Sequence, residues 1–199
     1  MDLRDVVRAR RMVRAYDSTR PVAADAVTAL LDLAVRAPSA GFTQGWDFVV
    51  ISGDEDRQLF WRATTDPGDP DSWLDGMRSA PVLVLCLSDP ERYLDRYAEP
   101  DKGWTDRDET RWAVPYWDVD AGMASLLMLL TAVDEGLGAC FFGIPPERLD
   151  SFRAAFGVPE GFRPVGCVSV GYPGSDDRRS PSLRRGRRGV DEVVHRGSW

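Results

Sequence analysis

The stretch from Tyr116 to Glu135 constrains the fold more than any other. Val119, Ala121, Met123, Ala124, Leu126, Leu127, Met128, Leu129, Leu130 and Val133 leave it apolar nearly all round. A helix built from it has no polar face to give to water and must be covered on every side. In a chain of 199 residues it can lie at the centre of a core or at an interface between subunits. It carries Asp120 and Ser125, and the apolar run from Val119 to Val133 reads as too short to span a bilayer. Gly136-Leu137-Gly138 supplies the stop.

Other elements must wrap that helix. Leu3, Val6 and Val7 have helical spacing, and Val27, Leu30, Leu31, Ala34 and Val35 predict an amphipathic helix over 23–37, stopped by Pro38. Strands are expected over Trp46 to Ile51, Pro81 to Leu87, Ala139 to Phe142 and Val165 to Val170. The second is a continuous apolar run, which fits a strand covered on both faces. Helices are expected from Gly53-Asp54 to about Ala63, from Pro90 to Tyr97, and from Pro146 to Phe156 with a stop near Gly157. Residues 66–72 read as a loop. Residues 98–116 show no period and are long enough to read as a lid or binding loop. With no internal repeat and no boundary, the expectation is one α+β domain over 1–199, with four or so strands.

Charge and composition exclude several functions. A net charge of -7 disfavours general nucleic-acid binding. The three cysteines, Cys86, Cys140 and Cys167, each sit in an apolar run and read as buried free thiols of a reducing cytoplasm. The N-terminus is charged from residue 2, unlike a signal peptide. His195 is the only histidine, so neither a histidine-based metal site nor a Ser–His triad is expected. No dinucleotide-binding glycine motif, Walker A loop, HExxH or G-x-S-x-G is present. Asp118, Asp120, Asp134 and Glu135 suggest no acid–base pair. If the chain is an enzyme, a bound cofactor carries the chemistry.

Positive charge is unevenly placed. Lys102 is the only lysine, and the arginines gather in 4–20 and 178–188. Two basic ends make sense if they converge on one anion. Arg10, Arg11 and Arg14 lead into Tyr16 and a turn, and the planar guanidinium fork suits phosphate well. A solvated basic helix end is the plainer alternative.

The order of motifs settles what kind of anion to expect. RRMVRAYD at 10–17, AVRAPSAGFTQGWDFVVI at 34–51, EGLGACFFG at 135–143, VPEGFRPVGCVSVGYP at 158–173 and the arginine-rich tail closing in DEVVHRGSW together resemble the nitroreductase family of flavin enzymes. The resemblance runs from residue 8 to the C-terminus and is weakest across 64–115. It implies a nitroreductase-like α+β fold: a central, mostly antiparallel sheet flanked by helices, a long buried central helix, and an intertwined homodimer. It also implies FMN as cofactor and NAD(P)H as reductant, with a small electron-poor substrate such as a nitroaromatic or quinone. No nucleic acid, membrane or metal is implied.

Carried over, the resemblance gives Arg10, Arg11 and Arg14 to the FMN phosphate, joined from the tail by Arg185 and Arg187. Pro38, Ser39 and Ala40 of the neighbouring subunit would lie against the flavin ring, with Gln44 as a polar contact. Phe141, Phe142 and Gly143 would pass the ring with a backbone N–H toward N5. The substrate would meet Phe42 and an aromatic wall from Trp104, Trp112 and Tyr116, unless those aromatics pack the dimer rim instead. No side chain acts as nucleophile or base, because the flavin carries the chemistry. Three positions depart from the family pattern: Met12 stands at a usual serine or threonine, Phe42 at a usual asparagine, and Gly45 at a usual proline. They leave open a flavin-binding protein without efficient turnover, or a relative using a flavin-like cofactor such as a deazaflavin.

Overall fold

The computed structural model describes residues 1–66 and 72–199. Its frame is a four-stranded sheet of β1 (Trp46–Ile51), β2 (Val82–Ser88), β3 (Gly138–Phe142) and β4 (Arg163–Gly171). The spatial order is β1-β2-β4-β3, and every neighbouring pair is antiparallel.

The two central strands show why the chain forms three layers. β2 is buried at all seven positions, and its side chains alternate between two cores. Val82, Val84 and Cys86 enter one core, together with Leu30 and Ala34 of α2 (Ala24–Ala34) and Ala121, Ala124, Met128 and Ala132 of α6 (Tyr116–Asp134). Leu83, Leu85 and Leu87 enter the other, which holds Phe60 and Trp61 of α3 (Asp54–Thr64), Leu74 and Met77 of α4 (Ser72–Arg78), and Phe152 of α7 (Leu149–Phe156). The continuous apolar run of β2 is thus explained by helices on both faces.

The remaining helices are α1 (Leu3–Ala9), which packs beside α6, α5 (Pro90–Ala98), and the short tail helix α8 (Val190–Val193). Asp2 caps α1 and Asp89 caps α5 through their carboxylates.

Several expectations need correction. The segment before β2 contains α4, which has too few apolar positions to show a period. The expected loop over 66–72 is partly α4, and residues 67–71 lie outside the described residues. α2 ends at Ala34 rather than Ala37, and the Pro146 helix begins as a 3-10 turn. α6 is not covered all round within one chain: Met123 is 40% and Leu126 48% exposed. At 19 residues α6 extends beyond the Val119–Val133 run and is long and apolar enough to cross a membrane by length and composition. Its packing against α2 and the sheet makes it a core helix here.

Candidate functional site

Downstream of α1 the arginine stretch runs extended rather than helical. Met12 bridges to Ala139 of β3, the Val13 N–H donates to Ala139 O at 3.0 Å, and Tyr16 bridges to Pro173 just beyond β4. Gly138 permits this approach, since a Cβ there would lie 2.6 Å from the Val13 side chain. Val13 and Tyr16 are buried in the core. The Tyr16 hydroxyl donates to Val13 O at 2.8 Å and lies 2.7 Å from Ser169 Oγ. Burial holds its phenol far above the ordinary tyrosine range.

Between those anchors sits Asp177, whose side chain is 1% exposed. It accepts the Arg14 N–H at 2.7 Å and the Ala15 N–H at 3.2 Å, and it forms an ion pair with Arg11. This carboxylate staples the start of the C-terminal tail onto the N-terminal arginine stretch. The two basic ends then line one cavity of about 460 Å³, walled by Arg8, Arg10, Arg11, Met12 and Arg14 from one side and by Arg179, Ser180, Ser182, Leu183, Gly186 and Arg187 from the other. Arg14 Nη1 donates to Met12 O at 3.2 Å. Arg10 Nη1 is buried and has no hydrogen-bond partner among the described residues. A buried guanidinium N–H without an acceptor is costly, so this atom points to an anionic ligand.

Of the expected phosphate residues, Arg10, Arg11, Arg14 and Arg187 line this cavity, with Arg11 already paired to Asp177. Arg185 is exposed at the end of a 3-10 turn and is not among the lining residues. Arg8, Arg179 and Asp177 were not singled out. Arg8 and Arg179 could have been found from the basic clustering, but Asp177 sits in an ordinary polar run.

The other candidates lie elsewhere in the chain. Phe141 packs against the core containing α6, and its N–H contacts Met12 Sδ at 3.5 Å, so Met12 covers β3 where a hydroxyl was expected. Phe142 stacks on Trp61 with centroids 5.8 Å apart, and with Gly143 it lines a separate cavity of about 270 Å³. Gln44 lines an open groove with Leu31, Trp46 and Phe48. Pro38, Ser39 and Ala40 belong to that same loop, away from the arginine cavity of their own chain. The Phe42 side chain is 78% exposed.

Trp104, Trp112 and Tyr116 join Tyr93, Tyr97 and Trp117 in one aromatic cluster, with Trp112 at 4.4 Å from Tyr97 and 5.4 Å from Trp104. Ion pairs from Arg107 to Glu91 and Asp95, and from Arg111 to Asp106, hold the irregular segment in place. The segment therefore has a small core of its own. No group of three or more His, Cys, Asp or Glu suited to a metal occurs among the described residues.

Comparison with known proteins yields a consistent pattern. The model of the nitroreductase family matches residues 7–172. An Archaeoglobus fulgidus protein named as an NADH dehydrogenase/NAD(P)H nitroreductase is 27% identical over 201 residues, covering 96% of this chain and 94% of its own length. The Thermus thermophilus NADH dehydrogenase is 26% identical over 202 residues, covering 92% of each chain. Among solved structures, a Clostridium difficile nitroreductase family protein superposes with a TM-score of 0.73 at 20% identity over all of both chains. A Desulfovibrio desulfuricans protein named as a nitroreductase and solved with FMN superposes with a TM-score of 0.71 at 22% identity, covering 98% of this chain and 95% of its own. At these identities the solved structures speak to the fold.

Proposed function

The chain belongs to the nitroreductase family, and from that premise we propose that it is an FMN-dependent oxidoreductase working as a homodimer, with NAD(P)H as reductant and a small electron-poor acceptor. One observation carries the cofactor assignment: the buried, unpartnered Arg10 Nη1 in a cavity lined by arginines from both ends of the chain. A phosphate monoester supplies the acceptors that this donor set lacks. The FMN complex of the Desulfovibrio desulfuricans protein supports the same reading.

In this reading Arg10 and Arg14 bind the phosphate from the N-terminal side, and Arg179 and Arg187 from the tail. Arg11 serves mainly as the counter-ion of Asp177. FMN held there would supply the redox chemistry, hydride transfer between NAD(P)H and a nitroaromatic or quinone. The protein's task is orientation and shielding. The 38–44 loop lies outside its own chain's arginine cavity, in keeping with a ring covered by the partner subunit's copy of that loop. The exposed Met123 and Leu126 of α6 are the apolar surface such a dimer would cover. Three buried free cysteines are in keeping with a reducing cytoplasm.

The test is spectroscopic. Purified or FMN-reconstituted protein is expected to show a flavin absorption band that NAD(P)H bleaches anaerobically and a quinone restores. A colourless protein that cannot be reconstituted would contradict the reading. A flavin band that NAD(P)H never bleaches would leave a flavin-binding protein without turnover.

A further inference from the structure

The loop that links α2 to β1 is held in a backbone conformation it would not choose. Gly41, Phe42 and Gln44 lie at φ 63°, 55° and 54°, and two of the three carry side chains that disfavour the left-handed region. Such a conformation persists only when its surroundings over-determine it. Local bonds do part of this: the Gln44 N–H donates to Ser39 Oγ at 2.9 Å and Thr43 Oγ1 donates to Ala40 O at 2.6 Å. The rest comes from α5 and α6. Asp120 is 2% exposed on the buried face of an apolar helix, and its Oδ2 accepts both the Ala40 N–H and the Tyr93 O–H, each at 2.8 Å. The Tyr93 ring closes off Gly45, where an added Cβ would run into it. Arg96 Nε donates to Gly41 O at 3.0 Å, while its guanidinium is gripped by Asp101 at 2.7 and 2.8 Å.

A buried carboxyl aimed at a loop backbone is a poor choice for stability alone, because an apolar residue would fill the same space without desolvating a polar group. What the arrangement secures is geometry. We infer that Asp120 is a positioning residue: with Tyr93 it pre-organises the 38–45 loop so that Pro38, Ser39 and Ala40 meet the flavin ring already in place. This rests on the flavin reading of the site. Pre-organisation of this kind raises affinity by removing the ordering cost from the binding step.

The experiment titrates the apoprotein dimer with FMN and with riboflavin, following flavin fluorescence, for wild type, Asp120→Ala, Asp120→Asn and Tyr93→Phe. Both donors fall on one oxygen, so asparagine can still accept them. Asp120→Ala is expected to weaken FMN and riboflavin by the same factor, about tenfold or more, because it disturbs the ring end and not the phosphate end. Asp120→Asn is expected to stay within about threefold of wild type, and Tyr93→Phe to fall between. A folded Asp120→Ala protein that binds both flavins as wild type does would overturn the inference, as would an asparagine variant as impaired as the alanine one. Should Asp120→Ala fail to fold, Tyr93→Phe decides. Unchanged flavin affinity there overturns the inference, and a loss shared equally by both flavins supports it. Wild-type protein that binds neither flavin would instead remove the cofactor assignment itself, and this inference with it.

Discussion

Arg10 and Asp177 carry opposite charges into the same small region, and the account gives them different work. Arg10 offers an unsatisfied buried donor, so Arg10→Ala is expected to cost FMN about ten- to a hundredfold in affinity while leaving riboflavin unaffected, as measured by fluorescence titration. Asp177 makes the sharper case. If charge alone mattered, removing a carboxylate from a phosphate site would tighten FMN binding. As a staple holding Arg11 and the Arg14 and Ala15 N–H groups, its removal should do the reverse. Asp177→Ala is expected to weaken FMN by about tenfold, and tighter binding would refute the scaffold role. The arginines were legible from clustering and guanidinium chemistry. Asp177 was not, because its partners lie more than 160 residues away in the chain and nothing local marks it among other acidic residues. The cysteines make a simpler prediction. Burial pushes the Cys86 thiol up to about 12 from an ordinary 9.0 and raises Cys140 and Cys167 as well. Folded protein at pH 8 should therefore resist alkylation that unfolded protein undergoes at all three thiols. Because these folded values are raised, their contribution to stability is complete below about pH 9 and is lost as pH climbs toward 12. Melting temperature should accordingly decline across that alkaline window.

At the scale of elements, what was legible was whatever repeats. The alternation of β2 between two cores, the period of α2 and the unbroken apolarity of α6 each encode their own surroundings. α4 was missed because a seven-residue helix offers fewer than two full periods and carries Gly76. α1 ends where the arginines begin, and the stretch beyond it, for which phosphate binding and a solvated helix end were the two readings, runs as an edge ribbon on β3 because Gly138 admits it and Tyr16 is pinned beneath it. The irregular 98–116 segment was open to two readings, substrate wall or packing. Its tryptophans pack on Tyr93 and Tyr97 of α5, and Asp101 within it grips Arg96, which holds the 38–45 loop. The Asp120–Tyr93–Ala40 arrangement was invisible in sequence for the same reason as Asp177: hydrogen-bond convergence leaves no period.

For the whole molecule, α6 remains half covered in one chain. Met123 and Leu126 on α6, Leu3 and Val7 on α1, Leu33 on α2 and Val35 just past its end are all exposed. We take them as surface that a second copy covers. Met123→Glu combined with Leu126→Glu is expected to shift the protein from dimer to monomer in sedimentation velocity and to release flavin with it, because in the proposed dimer the loop against the ring comes from the partner. Dimers that persist with flavin retained would place the interface elsewhere. The central claim is that both ends of the chain form one clamp for a phosphate. Its most direct test compares FMN with riboflavin on the apoprotein, before and after Arg10→Ala combined with Arg14→Ala. The account predicts that wild type prefers FMN by about a hundredfold or more, as two or more charge-assisted contacts would give, and that the double variant binds the two alike. Equal affinities in wild type, or a preference that survives the double substitution, would contradict it.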